Sequence, residues 1–348
     1  MTESRPHVLV ARLDNAGDVL LAGPAVRAVA AGAGRVTLLA GPAGRDAAAL
    51  LPGVDQLVVY DAPWTGFAPP PVDGRALAGL VEEIAALALD EAVVLTSFHQ
   101  SPLPLALVLR LAGVPRIGAV SVDYPGSLLD VRHQVPDGLH EVQRALSMVG
   151  ALGYRLPSGD DGALAVRLPL PAWRPFAVPY LVFHPGASVP ARAWDVPRGQ
   201  ALVTALVERG CRVAVTGAPA ERALTAAVAG RPHADVADLG GRTDLAELAG
   251  VLDGASAVIC GNTGPAHLAA AVGTPVVSIF APVVPASQWA PWAVPLALLG
   301  DQSVGCAGCR SRTCPVPGHP CLAGVTVDAV VHAVDTLSGV VRERSAVG

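Results

Sequence analysis

Lysine is absent from all 348 residues, so the 24 basic side chains are all arginine. A phosphate loop that depends on lysine is thereby excluded, and any cation that meets a phosphate must be an arginine fork or a histidine. Charge is scarce in general. Only 15% of residues are charged and the net charge is -5, which leaves no basic face to neutralise a nucleic-acid backbone, so no nucleic acid is expected as a partner. Long apolar runs are missing too. The run 103–114 is broken by Arg110 and falls short of the about 20 apolar residues that a membrane span needs, which predicts a buried helix instead. No transmembrane segment is expected, while peripheral contact with a membrane surface stays open. The opening residues 1–7 are polar and lead straight into a strand, which argues against a secretory signal and for a cytoplasmic protein.

What is present is a chain of 52% hydrophobic residues with 37 glycines and 32 prolines, the composition of a compact α/β protein with many short turns. Its length suits two domains. Short Val/Leu-rich runs at 7–12, 36–39, 56–60, 92–96 and 116–118 alternate with Ala-rich amphipathic segments at 19–31, 45–51, 75–88, 102–111 and 140–152. That alternation predicts a parallel sheet covered by helices on both faces. Four prolines between 168 and 179 mark a linker. A second series then begins, with strands at 180–184, 212–216, 237–239 and 258–260 and helices at 197–209, 220–229, 244–252 and 327–337. The expected fold class is α/β with two doubly wound Rossmann-like domains, residues 1–170 and 171–348, facing each other across a cleft where ligands of such folds bind. A nicotinamide cofactor would be the natural ligand, but its Gly-x-Gly-x-x-Gly fingerprint is missing. Gly32-Ala-Gly34 precedes a strand instead of following one.

The stretch 259–280 carries the strongest signal. It reads as strand, turn, helix, turn and strand, with Asn262 or Thr263 able to cap the helix and Pro265 in a first turn where no hydrogen bond is lost. The free N–H groups of that turn suit a phosphate, Gly264 lets the backbone approach it, and His267 lies close enough in sequence to point at the same ligand. After the first strand of the second domain, His184-Pro-Gly-Ala-Ser188 can form a nest of N–H groups with Ser188 as an added donor, and Arg192 follows. Thr216 and Gly217 end the next strand, and Glu221 opens the helix after it. In the first domain Asp18, preceded by Gly17, sits in the turn after the opening strand. Its position suits either a first-turn acid that complements the helix dipole or a general base for an acceptor hydroxyl.

Four segments, 8–20, 184–188 with Arg192 and Trp194, 213–221 and 259–280, occur in an order that resembles glycosyltransferase family 9, the ADP-heptose heptosyltransferases of the GT-B fold. The resemblance implies an inverting transferase that moves heptose from ADP-heptose to an acceptor hydroxyl of lipopolysaccharide core, another cell-envelope glycan or a natural product. It assigns Asp18 as the base, with Asp14 of the same loop as the reserve candidate. It places the nucleotide sugar in the C-terminal domain on Ser188, Arg192, Thr216, Gly217, Glu221, Asn262, Thr263, Gly264 and His267, and the acceptor in the N-terminal domain. No cofactor is required for catalysis in this reading. One departure stands out: family members usually carry Asp where this chain has Asn262, which bears on the donor sugar. A sugar-nucleotide epimerase of similar architecture and a non-catalytic sugar-nucleotide-binding relative are the alternatives.

Four of the six cysteines, Cys306, Cys309, Cys314 and Cys321, gather in one loop with His319 nearby. In a cytoplasmic chain such spacing favours a metal knuckle over disulfides. A structural zinc on four thiolates, or on three and His319, would order a loop with few apolar residues; an iron–sulfur site and free thiols are the other options.

Overall fold

The computed structural model describes residues 5–66 and 68–347, with side chains described as far as residue 337. It divides into two compact units, Met1–Arg167 and Leu168–Gly348. The first contains β1 (His7–Arg12), β2 (Arg35–Ala40), β3 (Gln56–Val59), β4 (Glu91–Val94), β5 (Arg116–Val120) and β6 (Val131–His133). The second contains β7 (Leu181–His184), β8 (Val213–Val215), β9 (Val236–Asp238), β10 (Ala257–Gly261), β11 (Val276–Ile279) and β12 (Leu296–Leu299).

Both sheets are parallel and share one topology. The first runs β3-β2-β1-β4-β5-β6 and the second β9-β8-β7-β10-β11-β12, so each chain path starts in the middle, winds to one edge, returns and winds to the other. Crossover connections cover both faces of such sheets, which is why the central strands carry unbroken apolar runs. All of β1 after His7 is buried, and Val10 lies between Leu38 of β2 and Val93 of β4. In the second sheet Ile259 lies between Phe183 of β7 and Val277 of β11. Leu9, Leu39, Leu105 and Ile117 anchor one core, and Phe183, Leu202, Val215 and Ile279 anchor the other. Each such side chain contributes roughly 1.5–3 kcal/mol when removed from water.

Helix starts follow local chemistry. Asp73 accepts from the N–H groups of Arg75 and Ala76, Asp195 from that of Arg198, and Asp244 exchanges a reciprocal pair with Glu247 at 2.7 and 2.9 Å. The segment 19–31 differs from the single helix that its pattern predicts. It lies in two helices, Ala16–Leu21 and Gly23–Gly32, because Pro24 has no N–H to continue the ladder and Ala22 turns its own N–H onto Asp18 and Val19. β6 and β12 also go beyond the sequence reading: β6 has only three residues, and β12 is a partly buried edge strand.

In each sheet the direction of winding reverses between the two central strands, β1 and β4 in the first and β7 and β10 in the second. Ligands of doubly wound sheets bind beyond the carboxyl ends of the strands at that reversal. The candidate residues cluster at these two places.

Candidate functional site

In the first unit β1 ends in Arg12, only 3% exposed. A buried guanidinium must be surrounded by acceptors, and this one is. Its Nη1 donates to Glu141 Oε2 at 3.1 Å, its Nη2 donates to Asp18 Oδ1 at 3.1 Å and to Ser97 Oγ at 2.9 Å, and its Nε lies 2.8 Å from Asp14 Oδ2. Burial opposes the charge of Arg12, but Asp14, Glu141 and Asp18 more than offset it and hold the guanidinium firmly protonated. Gln100 secures Asp14 with a 2.5 Å hydrogen bond from Nε2. The same Gln100 lines a small hollow with Leu13, Trp64, Thr65 and Ser101.

Asp18 stands in the first turn of the helix Ala16–Leu21, where it complements the helix dipole, yet its carboxylate is turned to Arg12. Its side chain is 18% exposed against 8% for Asp14 and 2% for Glu141, so it is the member of the acidic group that meets solvent. Burial and the charge of Asp14 push its ionisation midpoint up from 3.8 to about 6, against the pull of Arg12. A carboxyl with that midpoint is ionised at neutral pH and still a better proton acceptor than an ordinary aspartate. Sequence reasoning identified Asp18 but not its setting. Arg12 was visible as a charged residue ending an apolar strand, whereas Glu141, 129 residues from Arg12, left no local signal.

In the second unit the predicted residues fall into two groups around the ends of β7 and β10. His184 Nδ1 pairs with Thr216 Oγ1 at 3.0 Å, and His184 Nε2 lies 3.8 Å from Glu221 Oε2. Burial lowers the His184 midpoint while Glu221 works against that, so the imidazole is neutral at physiological pH. Glu221 accepts from the Ala218 N–H at 2.7 Å and lies against Gly186, where any side chain would collide with the carboxylate. At Gly217 an added Cβ would stand 2.6 Å from Thr225 Cγ2, so close packing requires that glycine, whereas a side chain at position 186 would be met by the flexible end of Glu221. Ser188 stands exposed beyond Gly186.

The other group joins the turn Pro190–Arg192 to the end of β10. Arg192 Nη1 donates to the Asn262 carbonyl at 3.2 Å. Asn262 Nδ2 in turn donates to the Ala281 carbonyl at 3.3 Å. Thr263 is the N-cap of the helix Gly264–Ala271, extended at φ -138°, with Pro265 in the first turn. Its hydroxyl makes no capping bond. Among the described residues, the buried atoms Thr263 Oγ1 and Asn262 Oδ1 have no hydrogen-bond partner. Buried polar groups are rarely left so, and these two stand beside a helix N-terminus and Arg192, an arrangement whose chemistry suits an anion and a hydroxyl. His267 is buried in the same helix, and Trp194 belongs to the core.

Residues 89–319 match the family model "Glycosyltransferase family 9 (heptosyltransferase)". The chain belongs to glycosyltransferase family 9. The matched residues include every nucleotide-sugar candidate of the second unit and exclude Asp18 and Cys321. Over 182 residues the chain is 35% identical to lipopolysaccharide heptosyltransferase 1 of Pseudomonas aeruginosa, a stretch covering 51% of this chain and 49% of that one. The match thus spans about half of the curated relative. Among solved structures, a glycosyltransferase family 9 protein of Veillonella parvula superposes with a TM-score of 0.77 at 16% identity, over 97% of this chain and 98% of that one. The ADP-heptose lipopolysaccharide heptosyltransferase II of Escherichia coli does so with a TM-score of 0.72 at 18% identity, over 97% and 99%. The two Rossmann-like units are those of the family's GT-B fold.

The cysteine loop of this family 9 chain folds back on the turn Pro190–Arg192. Cys306, Cys309, Cys314 and Cys321 line one small cavity with Ala191 and His319. All four are free thiols. His319 Nε2 donates to the Ala191 carbonyl at 3.0 Å, the kind of bond that fixes a ring whose Nδ1 ligates a metal, so the ligand set that suits a metal is four thiols or three with His319. As they stand, no three His, Cys, Asp or Glu side chains among the described residues are arranged to hold an ion. Cys260 is a buried packing residue whose thiol burial pushes up to about 12, and Cys211 packs at the edge of the core. Among the described residues no helix is long and apolar enough to cross a membrane.

Proposed function

We propose that this chain is an inverting glycosyltransferase that transfers heptose from ADP-heptose to an acceptor hydroxyl of a cell-envelope glycan or a natural product. Family membership supports the class of reaction, and the E. coli structural neighbour, an ADP-heptose enzyme by name, supports the donor. The observation that carries the reading is the pairing of Arg192 with Asn262 at a helix N-terminus whose adjoining polar atoms, Thr263 Oγ1 and Asn262 Oδ1, have no protein partner.

In this reading the donor diphosphate lies on the N–H groups at Gly264, on Thr263 and on Arg192, with Ser188 as a further donor. Thr216, Gly217, Glu221 and His267 shape the remainder of the nucleotide-sugar site. The acceptor oxygen attacks the anomeric carbon as the bond to the diphosphate breaks. The electron pair of that bond passes to the diphosphate, whose growing charge Arg192 and the helix amides stabilise, and the acceptor proton passes to Asp18. One displacement with one base inverts the anomeric centre. These residues perform every step without a metal ion.

The cavity of four thiols supports a separate, structural role for zinc. When bound there it would tie the loop to the turn that carries Arg192.

Incubation of the purified chain with ADP-heptose and candidate acceptors, followed by mass analysis, tests the reaction. The expected result is ADP together with a heptosylated acceptor. An isomerised donor without transfer would identify an epimerase, and a donor bound but never consumed would identify a binding protein.

A further inference from the structure

Arg12 makes more contacts than a structural ion pair needs. One buried guanidinium is shared by Asp14, Asp18 and Glu141, with Ser97 as a fourth acceptor. Among the described residues, the other cation paired with this group is Arg144, whose Nη1 lies 3.8 Å from Glu141 Oε1. Three carboxylates therefore face two cations, and the group carries a surplus of negative charge in a place that water barely reaches. Burying charge beyond neutrality costs stability and is relieved when one member takes a proton. The deepest acid, Glu141, is tied to both arginines, and Asp14 is tied to Arg12 and Gln100. Asp18 is the most exposed of the three and has a single cationic partner.

From this arrangement we infer that Arg12 is the positioning residue of Asp18, and that Glu141, by sharing the same guanidinium, governs how readily Asp18 takes a proton. The inference rests on the reading of Asp18 as the base and deepens it. The fork geometry explains why the position is occupied by arginine. A guanidinium can address three acceptors along fixed directions, so the contact with Glu141 fixes the plane in which Asp18 is held. Glu141 opens the helix Glu141–Ala151, the last helix of the unit, and its register on that helix is secured by the reciprocal bonds of His140 and Gln143. The charged groups facing Asp18 are thus Arg12 from β1, Asp14 from the following loop, and Glu141 with Arg144 behind it from that last helix.

Two substitutions shift the balance in opposite directions. Glu141→Gln keeps an acceptor for Arg12 and removes one negative charge, so Asp18 should release its proton at lower pH. Arg12→Gln removes the cation, so Asp18 should hold its proton to higher pH. The direct readout is a 13C NMR titration of aspartate carboxyls in the full chain, with the Asp18 resonance assigned by its loss in Asp18→Asn. The Asp18 midpoint should fall by roughly half a unit to one unit in Glu141→Gln and rise by at least as much in Arg12→Gln. The acid limb of the transfer rate should follow it, while donor affinity by calorimetry stays within about twofold. Should Arg12→Gln fail to fold, Glu141→Gln alone decides.

An unchanged Asp18 midpoint in folded Glu141→Gln overturns the inference, since a merely structural Glu141 would alter the melting temperature without moving the titration. A midpoint that moves as described, in an enzyme whose transfer rate is indifferent to Asp18→Asn, overturns instead the assignment of Asp18 as base.

Discussion

Arg192 reaches from the turn after β7 to donate to the carbonyl of Asn262 at 3.2 Å, joining the ends of the two central strands of the second sheet. The bond holds the arginine beside the N-terminus of the helix Gly264–Ala271, where a fixed cation and free backbone amides reinforce each other toward an anion. Arg192 is also joined to the cysteine loop, because the neighbouring Ala191 N–H donates to the Arg312 carbonyl at 2.9 Å.

Thr263 separates binding from stability. Its buried hydroxyl has no protein partner, so it contributes nothing to the fold that would offset its removal from water. Thr263→Val keeps the shape and suits the extended backbone of the N-cap. The substitution should leave the melting temperature equal or higher, by an amount equivalent to about 1 kcal/mol, and weaken donor binding several-fold. Thermal melts and calorimetry on the same preparation check both signs. A drop in stability with unchanged affinity would make the hydroxyl structural.

Asp18→Asn should lower the transfer rate by roughly 100-fold to 10,000-fold with donor affinity unchanged, the loss expected when a general base is removed. The same variant has a pH signature in stability. Asp18 ionises at about 6 in the folded chain against an ordinary 3.8. Folding therefore favours the protonated form between those values. The cost of the ionised form is fully present above about pH 6 and disappears as pH falls toward 4. Asp18→Asn, which never ionises, should melt higher than the parent near pH 8 and equal to it near pH 4. An advantage that grows as pH falls would reverse the assigned sign.

The sequence pattern made most of the fold legible, because the strands are buried on both faces and their apolar runs are unbroken. It foresaw neither β6, which has three residues, nor β12, which is a partly buried edge strand. The helix break at Ala22 was written in Gly23-Pro24, but the apolar period continues through it and masks the interruption. For the site, Asn262, Thr263 and Arg192 were legible as motif residues in the segments that follow strands. The carboxylate group around Arg12 was not, since its members come from β1, the loop after it, the segment after β4 and a helix far along the chain. Only the tertiary fold brings Glu141 to Arg12.

The cysteine loop gives a prediction independent of catalysis. Four thiols around one cavity should bind about one equivalent of zinc in protein purified without chelator, and Cys306→Ser together with Cys309→Ser should abolish it. Because the loop backs onto Ala191, the same double variant should weaken donor binding and lower the melting temperature. Elemental analysis and calorimetry check it, and metal-free wild-type protein would end the idea.

The central claim is that the second unit holds a nucleoside diphosphate sugar on Arg192 and the helix N-terminus at Thr263. Calorimetry of the wild-type chain and Arg192→Ala against a panel of nucleotide sugars tests it most directly. The account predicts selective binding of an ADP-sugar, weakened about tenfold or more by the substitution. No binding across the panel, or equal affinity in both proteins, would contradict it.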